Sequence, residues 1–80
     1  MTGYNHFAHF TYHHNGFIIT IRRDFTCGVY EAWLQHRDFG ISTHLFTVSA
    51  NVYKLADCKE IVEDNLDDYI EDYEMEYMMN

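Results

Sequence analysis

The sequence predicts an α+β domain in which a four-stranded antiparallel sheet, residues 1–54, is followed by one amphipathic acidic helix, residues 55–80, packed on one face of the sheet. Apolar residues alternate at period two in four segments of the first part, and they recur at the period of a helix in the second. The chain has 80 residues, which is room for a single domain. Its hydrophobic content of 48% and aromatic content of 18% are enough to form a core, which excludes a disordered acidic tail.

The first two strands are predicted to form a hairpin. The segment from Tyr4 to Tyr12 is rich in aromatic residues and Thr, and the segment from Phe17 to Arg23 alternates. Between them stands Asn15-Gly16, a strong hairpin signal because both central residues of a type I′ turn need positive φ.

Two further strands are predicted over residues 29–36 and 41–49, joined by a turn in which Gly40 is free to take the left-handed conformation. The third strand places Tyr30, Ala32 and Leu34 on one face and Glu31, Trp33 and Gln35 on the other. Because all the loops are short, neighbouring strands are expected to pair in antiparallel order as a meander.

The helical period is clear from Asp57 onward. Asp57 and Glu60 have the spacing of a capping box, with Asp57 expected as the cap and Glu60 expected to reach back to it. At about 100° per residue, the apolar positions fall within one arc of roughly 120°. We expect this arc to pack on the sheet; it comprises Cys58, Val62, Leu66, Tyr69, Ile70, Tyr73 and Tyr77.

Charge is divided unevenly along the chain. Residues 1–54 carry three acids and four bases, a net charge of +1, whereas residues 55–80 carry ten acids and one base, a net charge of -9. Strong acidity argues against direct nucleic-acid binding, which requires a basic face. An asymmetry of this size is typical of an interaction surface.

The arrangement of the acids lowers the stability of the helix. Six i,i+4 pairs are acid on acid, and together they cost about 1 to 3 kcal/mol before screening by salt. Further acids stand in the final turns, where the helix dipole favours cations. We interpret this side as a functional partner-binding surface; its residues are Glu60, Glu63, Asp64, Asp67, Asp68, Glu71, Asp72 and Glu74.

The spacing of the acids suggests nucleic-acid mimicry. From Glu60 to Glu76 they follow one another every 3 Å or so along the axis, at a rise of about 1.5 Å per residue. The phosphates of one nucleic-acid strand are about 3.4 Å apart. Such a rod of carboxylates is expected to occupy a groove built for a nucleic-acid backbone.

In size, sheet architecture and acidic helix, the chain resembles small phage and mobile-element inhibitors of bacterial defence nucleases, above all the anti-CRISPR proteins. The resemblance implies a partner that is a bacterial nucleic-acid-binding protein such as a CRISPR effector, blocked by a DNA mimic. It assigns no role to any individual residue. The alternative is an acidic interaction module, antitoxin-like or regulatory, that binds a basic protein without displacing nucleic acid.

Other kinds of site receive little support from the sequence. His6, His9, His13 and His14, with His36 or His44, could suggest a metal site, but no zinc-ligand spacing is present, and we expect neither metal nor cofactor. Cys27 and Cys58 are expected to be reduced thiols, and no catalytic motif accompanies them, so we expect no enzyme.

The remaining expectations concern location and self-association. No long apolar run or leader peptide is visible, which predicts a cytoplasmic protein without membrane contact. The helix can cover only one face of the sheet, so the open face is expected to expose aromatic residues such as Trp33 and to offer a homodimer surface.

Overall fold

The computed structural model describes residues 6–78, with side chains from residue 10 onward. The elements are β1 (His6–His14), β2 (Phe17–Asp24), β3 (Val29–His36), β4 (Ser42–Ser49) and α1 (Leu55–Tyr73), which continues as a π-helical turn (Glu74–Met78). The sheet order is β1-β2-β3-β4, with each neighbouring pair antiparallel. The predicted meander followed by one helix is confirmed, while the expected strand start at Tyr4 lies outside the described residues.

The hairpin turn between β1 and β2 forms at the predicted dipeptide. Asn15 and Gly16 have φ of 50° and 85°, which is the positive φ that a type I′ turn requires. The turn also contacts the residue that follows β3, because Arg37 N–H donates to the Gly16 carbonyl at 2.9 Å. A Cβ at Gly16 would lie 2.8 Å from Nε2 of His36, so this position needs glycine for space as well as for φ.

Two bulges adjust the faces of the sheet. The register between β1 and β2 shifts between Ala8 and Phe10, and the register between β3 and β4 shifts between Ala32 and Trp33. Each bulge adds one residue to an outer strand, so the side chains beyond the bulge point to the opposite face from the one that regular alternation would give them. Phe46, beyond the β4 bulge, packs toward the helix as a result, whereas Phe10 does so because it pairs with Ile21 in the unbroken register of the hairpin.

The core lies between α1 and the two central strands. β2 and β3 contribute Phe17, Ile19, Ile21, Ala32 and Leu34, and the helix contributes Cys58, Val62 and Tyr73. The other predicted members of the apolar arc are half-buried against this core; they are Leu66, Tyr69, Ile70 and Tyr77. The predicted packing face of the helix is thus confirmed, with its deepest burial near the two ends.

The helix begins one turn earlier than the predicted cap. Lys54 is the N-cap residue, and the Asp57 carboxylate accepts the Lys54 N–H at 2.8 Å. Asp57 therefore has the reach-back role that was expected of Glu60, and its assignment as the cap was wrong. The physical reason is that Leu55 packs against the core and brings residues 55 and 56 into the first turn.

Tyr73 fastens the far end of the helix to the sheet. This side chain is only 1% exposed. Its hydroxyl donates to the Ile41 carbonyl at 2.6 Å and accepts the His36 N–H at 3.3 Å. Its ring meets the Phe17 ring edge-on at 5.6 Å. The helix therefore has a fixed position on the sheet at both of its ends.

Candidate functional site

The predicted partner-binding acids stand together on the side of α1 turned away from the core. Seven of them are exposed and Glu74 is half-buried. We call this set the acidic face; it comprises Glu60, Glu63, Asp64, Asp67, Asp68, Glu71, Asp72 and Glu74. Because apolar residues fill the opposite side of the helix, the same periodicity that builds the core places these carboxylates in water.

No residue of the acidic face forms an ion pair within residues 6–78. Two of the five basic side chains are engaged elsewhere. Lys59 places its Nζ over the Phe10 ring, 4.4 Å from the centroid, and Arg23 donates to the carbonyls of Asp24 at 3.1 Å and Val29 at 3.4 Å. The charge of the helix is therefore left without a local counter-charge, and the last turn contains no base to balance the dipole.

Clefts flank the helix on both sides because it lies along the two central strands. On the β1 side, an open cleft of about 630 Å³ separates the helix from the β1–β2 turn, and we call it the hairpin cleft. Its polar lining consists of His14, Asn15, His36, Asp67, Glu71 and Glu74. On the β4 side, a cleft of about 240 Å³ is bordered by Asp72 and Glu76. Acids thus overhang a groove on each side of the helix.

His36 is the buried polar residue of the hairpin cleft, at 9% exposure. Its Nδ1 accepts the Asp38 N–H at 3.2 Å, so the neutral ring carries its proton on Nε2. Phe17 and Phe39 hold the ring edge-on at 4.8 and 5.5 Å. Nε2 has no hydrogen-bond partner among the described residues.

A ladder of rings runs along the helix side of β1 toward the hairpin cleft. Phe10 stacks with Tyr12 at 6.3 Å, and Tyr12 stacks with His14 at 6.4 Å. His14 and His36 are not among the residues predicted for partner binding. The alternation of faces along β3 could have indicated that His36 lies on the helix side, because His36 shares its face with Ala32 and Leu34.

The histidines do not converge on a metal site among the side chains that the structure describes. His13 and His14 are consecutive in β1 and point to opposite faces. His44 lies on the open face, within 2.6 Å of the Thr47 hydroxyl. The side chains of His6 and His9 lie outside the described residues.

The two cysteines are separate thiols. Cys27 is exposed in the β2–β3 turn, and its hydrogen bond with Asp24, together with the charge of that residue, raises its pKa. Cys58 lies in α1 and is buried against the core, and desolvation raises its pKa, helped by the charge of Asp57. Both thiols are held in the protonated form, which is the less nucleophilic one.

The open face of the sheet is mostly polar along its central strands. Trp33 is half-buried there, with its ring 5.1 Å from His44, among neighbours such as Thr20 and Arg22. The large rings of the outer strands, such as Phe10 and Phe46, pack toward the helix instead. The homodimer surface stays a prediction.

Within residues 6–78, no helix combines the length and the apolar character that crossing a bilayer requires. A scan against protein-family models gives no match, and comparisons with curated proteins and with solved structures give none either.

Proposed function

We propose that this protein inhibits a bacterial nucleic-acid-binding defence effector, in the manner of the anti-CRISPR proteins, by placing its acidic helix in the effector's basic groove. One observation carries the proposal. Nine acids lie between Glu60 and Glu76 on a helix fixed to a sheet, and none has an ion pair among the described residues.

The energetics of the helix support a role beyond folding. Its six like-charge i,i+4 pairs disfavour the helix by about 0.2 to 0.5 kcal/mol each. Replacing alternate acids with Lys would remove this cost and add favourable pairs without disturbing the core. A small domain has a total stability of about 5 to 15 kcal/mol, so the six like-charge pairs remove a noticeable part of it. A partner that binds the acids would explain why this arrangement is kept.

The rigidity of the helix supports mimicry in particular. Asp57 closes its first turn, and Tyr73 fastens its last turn to the sheet. The carboxylates are thus held in a row before any partner arrives, which reduces the ordering cost of binding. Displacing counterions from a basic groove would then favour the complex, as it does for nucleic acid.

Inhibition can be measured with purified RNA-guided nucleases from several CRISPR types. Each nuclease is incubated with the protein before target DNA is added, and both DNA binding and cleavage are recorded. We expect one nuclease class to lose DNA binding, with the loss reversed as salt is raised. In bacteria that carry that system, expression of the protein should restore plaque formation by a targeted phage.

Two variants of equal net charge provide the control. Asp64→Asn with Asp68→Asn removes two acids from the helix, and Glu31→Gln with Asp38→Asn removes two acids from the sheet part of the chain. The helix variant should lose inhibition and the sheet variant should keep it. A nuclease that binds the protein and still binds DNA would contradict mimicry and support the interaction-module alternative. Absence of any effect on every nuclease tested would contradict the proposal itself.

A further inference from the structure

We infer that the open face of the sheet binds an aspartate or glutamate side chain of a partner protein, in a shallow cleft beside Trp33. The cleft has a volume of about 180 Å³, and we call it the open-face cleft. Its lining consists of Ile18, Thr20, Arg22, Trp33, Gln35 and Ser42. This site lies on the side of the sheet opposite the acidic face and is independent of the proposed function.

Trp33 supplies a donor that nothing in the described structure satisfies. Among the described residues, its Nε1 is the only buried side-chain nitrogen or oxygen without a hydrogen-bond partner. An indole N–H donates and cannot accept. A buried donor without an acceptor is costly, so a bound group that brings an oxygen to this ring is favoured.

Arg22 supplies a positive charge that is not balanced within the described part of the chain. It stands two residues after Thr20, the cross-strand partner of Trp33, so it shares the face of the Trp33 ring. Its own cross-strand partner is Glu31, yet the two side chains form no ion pair, and Arg22 is exposed. The guanidinium has five N–H donors and no acceptor.

Gln35 presents the donor end of its amide. The Ser42 hydroxyl donates to the Gln35 Oε1 at 3.0 Å, so the acceptor end is engaged and the two Nε2 protons remain. Trp33 and Gln35 are two residues apart in β3 and therefore lie on one face. The cleft thus collects N–H donors around one cation, and no carboxylate lines it.

A group of donors with one positive charge favours a carboxylate as the occupant. An ionised carboxylate has two acceptor oxygens and no donor, and it pairs with a guanidinium through two parallel hydrogen bonds. Drawing Arg22 toward the carboxylate opens the rim of the cleft next to the Trp33 ring. A nucleic-acid backbone is disfavoured, because a protein of net charge -8 repels a polyanion.

The size of the cleft favours a protein side chain over a whole small molecule. Sites for small molecules usually have volumes of about 300 to 1,000 Å³, whereas this cleft has about 180 Å³. Ile18 and the Trp33 ring border it and offer apolar surface that an adjoining protein can cover. The acids of α1 lie on the other side of the sheet, so the same molecule does not supply the carboxylate.

The single tryptophan of the chain makes the site directly observable, because its indole N–H gives one NMR signal. N-acetylglutamate amide offers a carboxylate side chain, N-acetylglutamine amide is its uncharged counterpart, and methyl phosphate is a different anion. Each is titrated into the full chain at constant ionic strength. We expect N-acetylglutamate amide to shift the indole signal with a Kd of about 10 mM or tighter, and each other probe to bind at least about fivefold more weakly.

Two variants of equal charge separate the cleft from the charge of the whole molecule. Arg22 lines the cleft, whereas Arg37 is exposed in the β3–β4 turn outside it. Arg22→Gln should bind N-acetylglutamate amide at least about fivefold more weakly, and Arg37→Gln should stay within about twofold of the wild type. Trp33→Phe keeps an aromatic ring and removes the donor, so it should also bind more weakly, as followed through the backbone N–H signals of Thr20 and Gln35. Circular dichroism establishes that each variant is folded.

Three results would overturn the inference. An indole signal that stays in place while the signals around Arg22 shift would mean that the carboxylate binds only at the surface. Equal losses in Arg22→Gln and Arg37→Gln would reflect net charge alone. Sedimentation of the protein by itself is the third measurement, because self-association that disappears in Arg22→Gln would assign the carboxylate to a second copy. None of these results alters inhibition by the acidic face, and failure of the inhibition assay leaves the open-face cleft intact.

Discussion

Replacing Tyr73 with Phe tests how the helix is held on the sheet. The ring is almost fully buried, and its hydroxyl serves both the Ile41 carbonyl and the His36 N–H. The substitution keeps the ring packing and removes only the hydroxyl. Any loss of stability therefore reports on these two hydrogen bonds.

The magnitude follows from what each partner loses. Ile41 is an exposed residue, so its carbonyl can turn to water. The N–H of His36 is buried and would be left without an acceptor, which costs about 1 to 3 kcal/mol. We expect the free energy of unfolding to fall by about 1 to 3 kcal/mol, a large share of a small domain's stability.

Urea denaturation measures this change, with the helix followed by circular dichroism and the sheet by Trp33 fluorescence. Coincident curves establish a two-state transition and allow the free energies to be compared. Tyr77→Phe is the matched control, because the Tyr77 ring lies 4.8 Å from Tyr73 but its hydroxyl has no hydrogen bond among the described residues. A loss in Tyr73→Phe no larger than that in Tyr77→Phe would refute the reasoning.

Three further changes probe the charge, the hairpin turn and the thiols. Changing Asp64, Asp67 and Asp68 to Asn and Glu71 to Gln relieves five of the six like-charge pairs, so thermal unfolding at low salt should show a gain of about 1 to 2.5 kcal/mol that shrinks in high salt. Gly16→Ala should cost at least about 1 kcal/mol more than Gly40→Ala in urea denaturation, because both glycines have positive φ but only Gly16 faces the His36 ring; equal losses would show that the ring moves away freely. Burial raises the pKa of the Cys58 thiol, and a hydrogen bond with Asp24 raises that of the Cys27 thiol. The stabilising contribution of the protonated thiols is therefore complete below about pH 8.5 and is lost as the pH rises through the folded-state pKa. The free energy of unfolding should therefore fall over this range, and an unchanged pH slope in the double variant Cys27→Ala with Cys58→Ala would contradict this expectation.

Local signals predicted the fold because they agree with one another. Asn15-Gly16 determines the first hairpin, the alternation of β2 and β3 selects the core face, and the helical stripe selects what covers it. The cap was misassigned because Asp57 has a good capping side chain, whereas packing of Leu55 brings the first turn forward. The bulges have no local signal, and the one in β4 decides that Phe46 faces the helix.

The acidic face was predicted from the same stripe, whereas the hairpin cleft was not. A cleft between the hairpin turn and α1 depends on where the helix lies across the sheet, and long-range contacts such as Tyr73 with Ile41 determine that position. Similarly, the free Nε2 of His36 depends on the hydrogen bond from Asp38 to the other ring nitrogen. The periodicity of the sequence carries no information on the position of the helix across the sheet or on this hydrogen bond.

The separation of charge between sheet and helix makes the molecule an electric dipole. With +1 on residues 1–54 and -9 on residues 55–80, a positively charged partner exerts a torque on the protein as well as an attraction. The molecule turns helix-first before contact, over a distance of about 8 Å at physiological salt. Salt should therefore slow association far more than it speeds dissociation. Two copies of the protein, by the same torque, turn their helices away from each other.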